Sequence, residues 1–138
     1  MKNVTDLIGR IFIGLFFFYE AIDTMVFFKQ TRETLTSLGI NFAQDWLIVG
    51  SIIILLVGAV MVIIGYYANI GALLLFIYWF VFTMVVYSFW NDNSDTKSLT
   101  INFFMRNMAL CGGLLILIAN GAGRWSVRRI LHVMRLPK

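Results

Sequence analysis

Four long apolar runs divide the chain: about Leu7 to Phe28, Trp46 to Gly65, Ile70 to Phe89 and Ile101 to Asn120. Each is long enough to cross a bilayer as a helix, which takes roughly 20 apolar residues. None alternates with the period of two that marks a half-buried strand, so the pattern predicts helices throughout. The expected fold is an all-α integral membrane protein, a single domain over residues 1–138, with four transmembrane helices in an antiparallel bundle. The first run differs from a secretory signal peptide. It is longer than an apolar signal core, it carries Glu20 and Asp23, and no small-residue cleavage site follows, so it reads as a retained span.

The polar intervals supply the connections. Lys29 to Asp45 reads as a polar loop holding a short helix that stops at Gly39, because glycine accepts the left-handed turn after a helix end. Tyr66 to Asn69 is a tight turn that folds the second and third spans into an antiparallel hairpin. Trp90 to Thr100, rich in Asn, Asp, Ser and Thr, reads as a solvated loop. Residues 121–138 form a basic tail in which Val127, Ile130, Leu131 and Met134 share one face and Arg128, His132 and Arg135 another. That is the pattern of an amphipathic helix lying in the membrane interface, with Arg124, Trp125, Arg128, Arg129 and Arg135 toward lipid headgroups.

Composition supports lipid as the main solvent. Hydrophobic residues make up 60% of the chain and charged residues only 13%, where a soluble domain holds about a quarter. The net charge of +4 is concentrated, with five of the eleven Lys and Arg residues between Arg124 and Lys138. A membrane-flanking tail explains this basicity, and no nucleic-acid-binding motif competes with it. Lys2, Arg10 and the five basic tail residues lie on one side of the spans, against Lys29, Arg32, Lys97 and Arg106 on the other. Cytoplasmic loops carry the excess of Lys and Arg, so both ends are expected inside. Trp46 and Trp90 fall at the outer edge, and Tyr66, Tyr67 and Trp125 at the inner one, where aromatic rings prefer to sit.

Small residues mark where helices can approach closely: Gly50, Gly58 and Gly65 on the second span, and Ala109, Gly112 and Gly113 on the fourth. Trp79 lies mid-span and suits either packing or the wall of a ligand pocket. The single cysteine, Cys111, excludes an intrachain disulfide and a Cys-x-x-Cys dithiol, and its apolar setting suits a packing role. One histidine, His132, provides neither a histidine-rich metal site nor a haem pair, so no metal site is expected.

Ionisable groups inside a membrane are costly and call for partners. Glu20 and Asp23 are three apart on the first span and share a helix face. Arg106 enters from the same side on the fourth span and is expected at roughly the depth of Asp23, with Glu20 about one turn deeper. If these two helices are neighbours, Arg106 is expected to bridge Asp23 or Glu20, with Tyr19, Tyr87 and Asn107 adding hydrogen bonds. Two readings stay open: a clamp that holds helix register, or a polar pocket that binds a quinone or a lipid headgroup or relays protons. Arg10 is expected either to snorkel toward headgroups or to pair with Asp6 one turn back.

Several motifs resemble the DoxX family of small bacterial inner-membrane proteins. They are Gly9-Arg10 with Gly14 and Phe17, Leu38-Gly39-Ile40, Ser88-Phe89-Trp90, the stretch from Met105 to Leu115 and the ending Gly121-Ala122-Gly123-Arg124-Trp125-Ser126. Many relatives have His before the Phe-Trp pair, where this chain has Tyr87 and Ser88. Many also have a Gly and a Lys late in the first helix, where it has Ala21, Ile22 and Asp23. The resemblance implies a link to membrane redox systems with quinone, and the polar cluster itself adds bound phospholipid as a second ligand to consider. No self-sufficient catalytic set is visible. The leading expectation is an accessory or scaffolding subunit of a larger membrane complex, in contact with other membrane proteins or further copies of itself. A quinone- or lipid-binding oxidoreductase component using Glu20, Asp23 and Arg106 is the alternative, and a small oligomeric transporter the third.

Overall fold

The computed structural model describes residues 2–121, so the basic tail with Arg124, Trp125, Arg128, Arg129 and Arg135 lies outside the described residues. Among the described residues there are five α-helices: α1 (Lys2–Val26), α2 (Phe28–Ser37), α3 (Gln44–Ile64), α4 (Ala68–Val86) and α5 (Ser94–Asn120). A single 3-10 turn at Phe89–Asn91 joins α4 to α5, and no strand occurs among the described residues. α3, α5 and the segment Ala68–Asn91 are each long and apolar enough to span a bilayer, and α1 makes a fourth span when taken with the start of α2. Apolar side chains cover the outside as well as the inside: Phe12, Ile53, Ile77, Val81 and Ile116 are all exposed. A helix apolar on every side belongs in a membrane or a large core. The chain is therefore an all-α, multi-pass membrane bundle.

Between Val26 and Phe28, just before the polar run that begins at Lys29, the chain bends by 86° into α2. Hydrogen bonding is not lost at the bend, since Phe27 N–H still donates to the Asp23 carbonyl at 2.8 Å. α2 ends as the glycine predicts. Gly39 adopts φ +78°, and Ile40 N–H returns to the Leu35 carbonyl at 2.9 Å while Gly39 N–H reaches Thr36 at 3.0 Å, the Schellman pattern. Gln44 then ties α2 to the start of α3, donating to Thr36 Oγ1 at 2.8 Å and to the Ile40 carbonyl at 2.7 Å. Arg32 joins the same junction through Asp45 at 3.5 Å.

The tight turn between α3 and α4 is also as expected. It uses Gly65 at φ +76° and, more unusually, Tyr67 at φ +53°. Two boundaries differ from the sequence reading. α1 starts at Lys2 rather than near Leu7, and α5 starts at Ser94 rather than near Ile101. The interval read as a solvated loop is therefore mostly helical. Asn93 is extended at ψ 157° and accepts the Lys97 N–H at 3.1 Å, and Asp95 occupies the first turn. These are helix-start signals, and polarity alone does not stop a helix from running on into water.

The spans pack in chain order, α1 on α3, α3 on α4 and α4 on α5, while α1 touches α5 only lightly. The core gathers Phe17, Leu55, Ala59, Val62, Leu75, Trp79, Cys111 and Leu114. Glycines set the closest approaches. A Cβ on Gly58 would meet Leu75 Cγ at 2.6 Å, one on Gly71 would meet Met61 Cβ at 2.7 Å and the Gly58 carbonyl at 3.1 Å, and one on Gly14 would meet Ile63 Cγ1 at 2.3 Å. Of the small residues singled out from sequence, Gly58 lies at such a crossing, Gly113 touches Ile13 at ordinary contact distance, and Gly50 and Gly112 face open space. Gly71→Ala is therefore expected to push α3 and α4 apart and destabilise by about 1–3 kcal/mol, whereas Gly112→Ala leaves stability unchanged. Thermal unfolding of both variants in detergent checks this, and equal melting temperatures would contradict it.

Candidate functional site

The polar residues of the spans fall into two groups at opposite ends of α1. The first is Asp6 and Arg10. Arg10 Nε lies 3.4 Å from Asp6 Oδ2 across one helical turn, and the arginine is 1% exposed. Of the two expectations for Arg10, pairing with Asp6 holds and snorkelling does not. The most deeply buried charge among the described residues is thus Arg10 and not Arg106, which is exposed. Sequence gives little warning of this, because Arg10 lies near a helix start where snorkelling is the ordinary outcome.

The second group forms a layer toward the α2 end of the bundle. Gly113 of α5 lies against Ile13 of α1, at 3.5 Å from a Cβ placed on the glycine. The two helices are antiparallel, so seven residues, about two turns along each, bring Arg106 level with Glu20. Glu20 interacts electrostatically with Asp23 and Arg106, and Tyr87 interacts with both Arg106 and Glu20. The charges do share one end of the bundle, but Arg106 stands level with Glu20, about one turn deeper than the Asp23 level expected from sequence. The expected direct bridge is not formed: among the described residues no carboxylate lies within ion-pair distance of Arg106. Its guanidinium instead sits over the Phe103 ring, 4.9 Å from the centroid. The physical reason is the slight contact between α1 and α5, which leaves the charges facing each other across a seam.

Aromatic rings wall this layer. Phe16, Phe17 and Trp79 meet edge to face at 5.2–5.6 Å. Trp79 stacks on Phe82 at 5.1 Å, and the series continues through Tyr87 at 6.0 Å and Phe103 at 5.5 Å. The Tyr87–Phe103 contact also sets the register of α4 against α5. Stepping inward four residues on each brings Thr83 level with Asn107, and four more bring Trp79 level with Cys111. Thr83 is fully buried and donates to the Trp79 carbonyl at 2.7 Å. Asn107 is 0% exposed, yet neither its Oδ1 nor its Nδ2 has a hydrogen-bond partner among the described residues, and the Trp79 Nε1 is in the same condition. Buried polar atoms are satisfied in the great majority of proteins, so these atoms stand out among the described residues.

Of the residues singled out from sequence, the structure brings Glu20, Asp23, Tyr87 and Arg106 together and places Asn107 beside them. Tyr19 is 63% exposed and lies outside the layer. Two hydroxyl residues were missed. Tyr78 interacts with Glu20 and with the Ser51 side chain, and Thr83 is buried at the level of Asn107. A polar atom in the middle of an apolar run was the available signal for both. Trp79, open to either reading, packs in the core and presents an unpaired N–H.

The family model DoxX matches residues 5–88. The match includes the Gly9-Arg10 opening and Leu38-Gly39-Ile40, and ends before the motifs at Met105–Leu115 and at residues 121–126. No curated protein and no solved structure matches the chain.

Removing one partner from a buried charge pair costs about 3–5 kcal/mol, because the other is left uncompensated. Arg10→Gln is therefore expected to lower the melting temperature in detergent much more than Arg106→Gln does. The reverse order would mean that Arg106, not Arg10, holds the bundle together.

Proposed function

The chain belongs to the DoxX family, and on that premise we propose that it holds the polar head of a membrane amphiphile, a lipid or a quinone, in the layer of Glu20, Tyr78, Tyr87 and Arg106. The observation that carries this reading is that Glu20 and Arg106 stand level on helices that scarcely touch, within electrostatic reach but not in direct contact. A register clamp needs the direct ion pair. A binding seam needs it to be open. The ring-lined wall and the orphaned Asn107 amide and Trp79 indole N–H point the same way, since ligand sites pair apolar walls with a few convergent polar groups.

In this reading the protein is an accessory component of a larger system in the bacterial inner membrane, presenting or retaining the amphiphile for partner proteins. A transport role has less support, because Phe16, Phe17, Trp79 and Phe82 fill the middle of the bundle. The test is native mass spectrometry of the full chain purified in mild detergent. One amphiphile per chain is expected, lost in Glu20→Gln and in Arg106→Gln while the thermal transition persists. A bare, folded chain that copurifies only with other proteins would favour pure scaffolding instead.

A further inference from the structure

We infer that the head group taken by this seam is zwitterionic, with a primary ammonium set against Glu20 and Asp23 and a phosphate set against Arg106 and Tyr87, as in a phosphatidylethanolamine-type lipid. The inference rests on the amphiphile-binding reading above and narrows it. The two walls of the seam carry opposite charge. α1 presents two carboxylates three residues apart, on one face. α5 presents a single guanidinium at the level of Glu20, on the stripe that includes Gly113 and so faces α1. Neither wall reaches the other to neutralise it.

Each simpler ligand leaves one wall unsatisfied. An anionic lipid pairs with Arg106 but sets its charge beside Glu20 and Asp23. A cationic amphiphile does the reverse. An uncharged ring compound pairs with neither. A head that carries both charges a few bonds apart satisfies both walls at once, and desolvated charge-assisted hydrogen bonds are the strong ones. The anionic end has a prepared place. Arg106 lies over Phe103 at 4.9 Å, and Phe103 lies 5.5 Å from the Tyr87 ring, which puts a guanidinium and a phenol on one side of the seam. A primary ammonium carries three N–H donors, enough for two carboxylates and the Tyr78 hydroxyl that also interacts with Glu20.

Asn107 gives an independent pointer. It follows Arg106 on α5, is fully buried, and leaves both amide atoms without a partner. Its Nδ2–H supplies a donor one step from the guanidinium. In a glycerophospholipid an ester carbonyl follows the phosphate at about that place and is a matching acceptor.

The experiment is a competition on the full wild-type chain. Micelles are doped with equal amounts of phosphatidylethanolamine, phosphatidylcholine and phosphatidylglycerol of distinguishable acyl mass, and the lipid retained is read by native mass spectrometry. Phosphatidylethanolamine is expected to exceed each of the others by about tenfold, roughly what one charge-assisted hydrogen bond supplies. Phosphatidylcholine keeps the charges but has no N–H, so the comparison isolates the ammonium donors. In Glu20→Gln/Asp23→Asn the preference over phosphatidylglycerol is expected to vanish, and in Arg106→Gln all retention falls. Equal retention of the three lipids, or preference for phosphatidylglycerol, overturns the inference. A retained quinone overturns it while the amphiphile reading stands, and no retained molecule overturns both. The wild-type competition decides even if a variant fails to fold.

Discussion

In hydrocarbon there is no hydrophobic drive between helices, and association rests on close contact of their surfaces. This bundle obtains that contact at two places. Gly58 and Gly71 bring α3 and α4 together until each backbone meets the other, and Gly14 seats the α1 backbone against Ile63 and Ala59. These crossings seat α1 on α3 and α3 on α4. The α4–α5 contact has no such glycine and is made by larger side chains such as Tyr87 and Phe103, and α1 meets α5 only lightly, near Ile13 and Gly113.

The two ends of α1 treat charge in opposite ways. At one end Asp6 and Arg10 pair within a single helix, with the arginine buried and the aspartate about a quarter exposed. At the other end Glu20 and Asp23 face a guanidinium on a different helix and remain open. Between them lies a plug of Phe16, Phe17, Trp79 and Phe82, whose interlocked rings separate the two polar regions. The perpendicular α2, tied to α3 by Gln44 and Arg32, projects at the same end as Glu20 and Asp23.

Much of the architecture was legible from residues. The spans, the hairpin at Gly65, the helix ending at Gly39 and the placing of Glu20, Asp23 and Arg106 toward one end all depend on local rules of length, polarity and turn chemistry. The start of α5 was not, because Asn93, Ser94 and Asp95 suit both a loop and a helix start, and only the continuing hydrogen bonds decide between them. Gly71 was overlooked, because a glycine in a long apolar run looks the same whether it touches a neighbour or open lipid. Gly112 and Gly50 show the other outcome of that ambiguity.

The sequence by itself determined that this chain lives in a membrane, how many apolar runs it has, and toward which end its charges lie. Those properties follow from one-dimensional patterns, since a helix rises by a constant amount per residue and lipid admits few polar groups. Only the tertiary structure decided which charges are neutralised. Pairing depends on the lateral distance between helices, and that distance is set by side-chain volumes at crossings remote from the charges. Hence Arg10, expected to snorkel or to pair with Asp6, is buried and paired with Asp6, while Arg106, expected to bridge Asp23 or Glu20, lies beyond ion-pair distance of both.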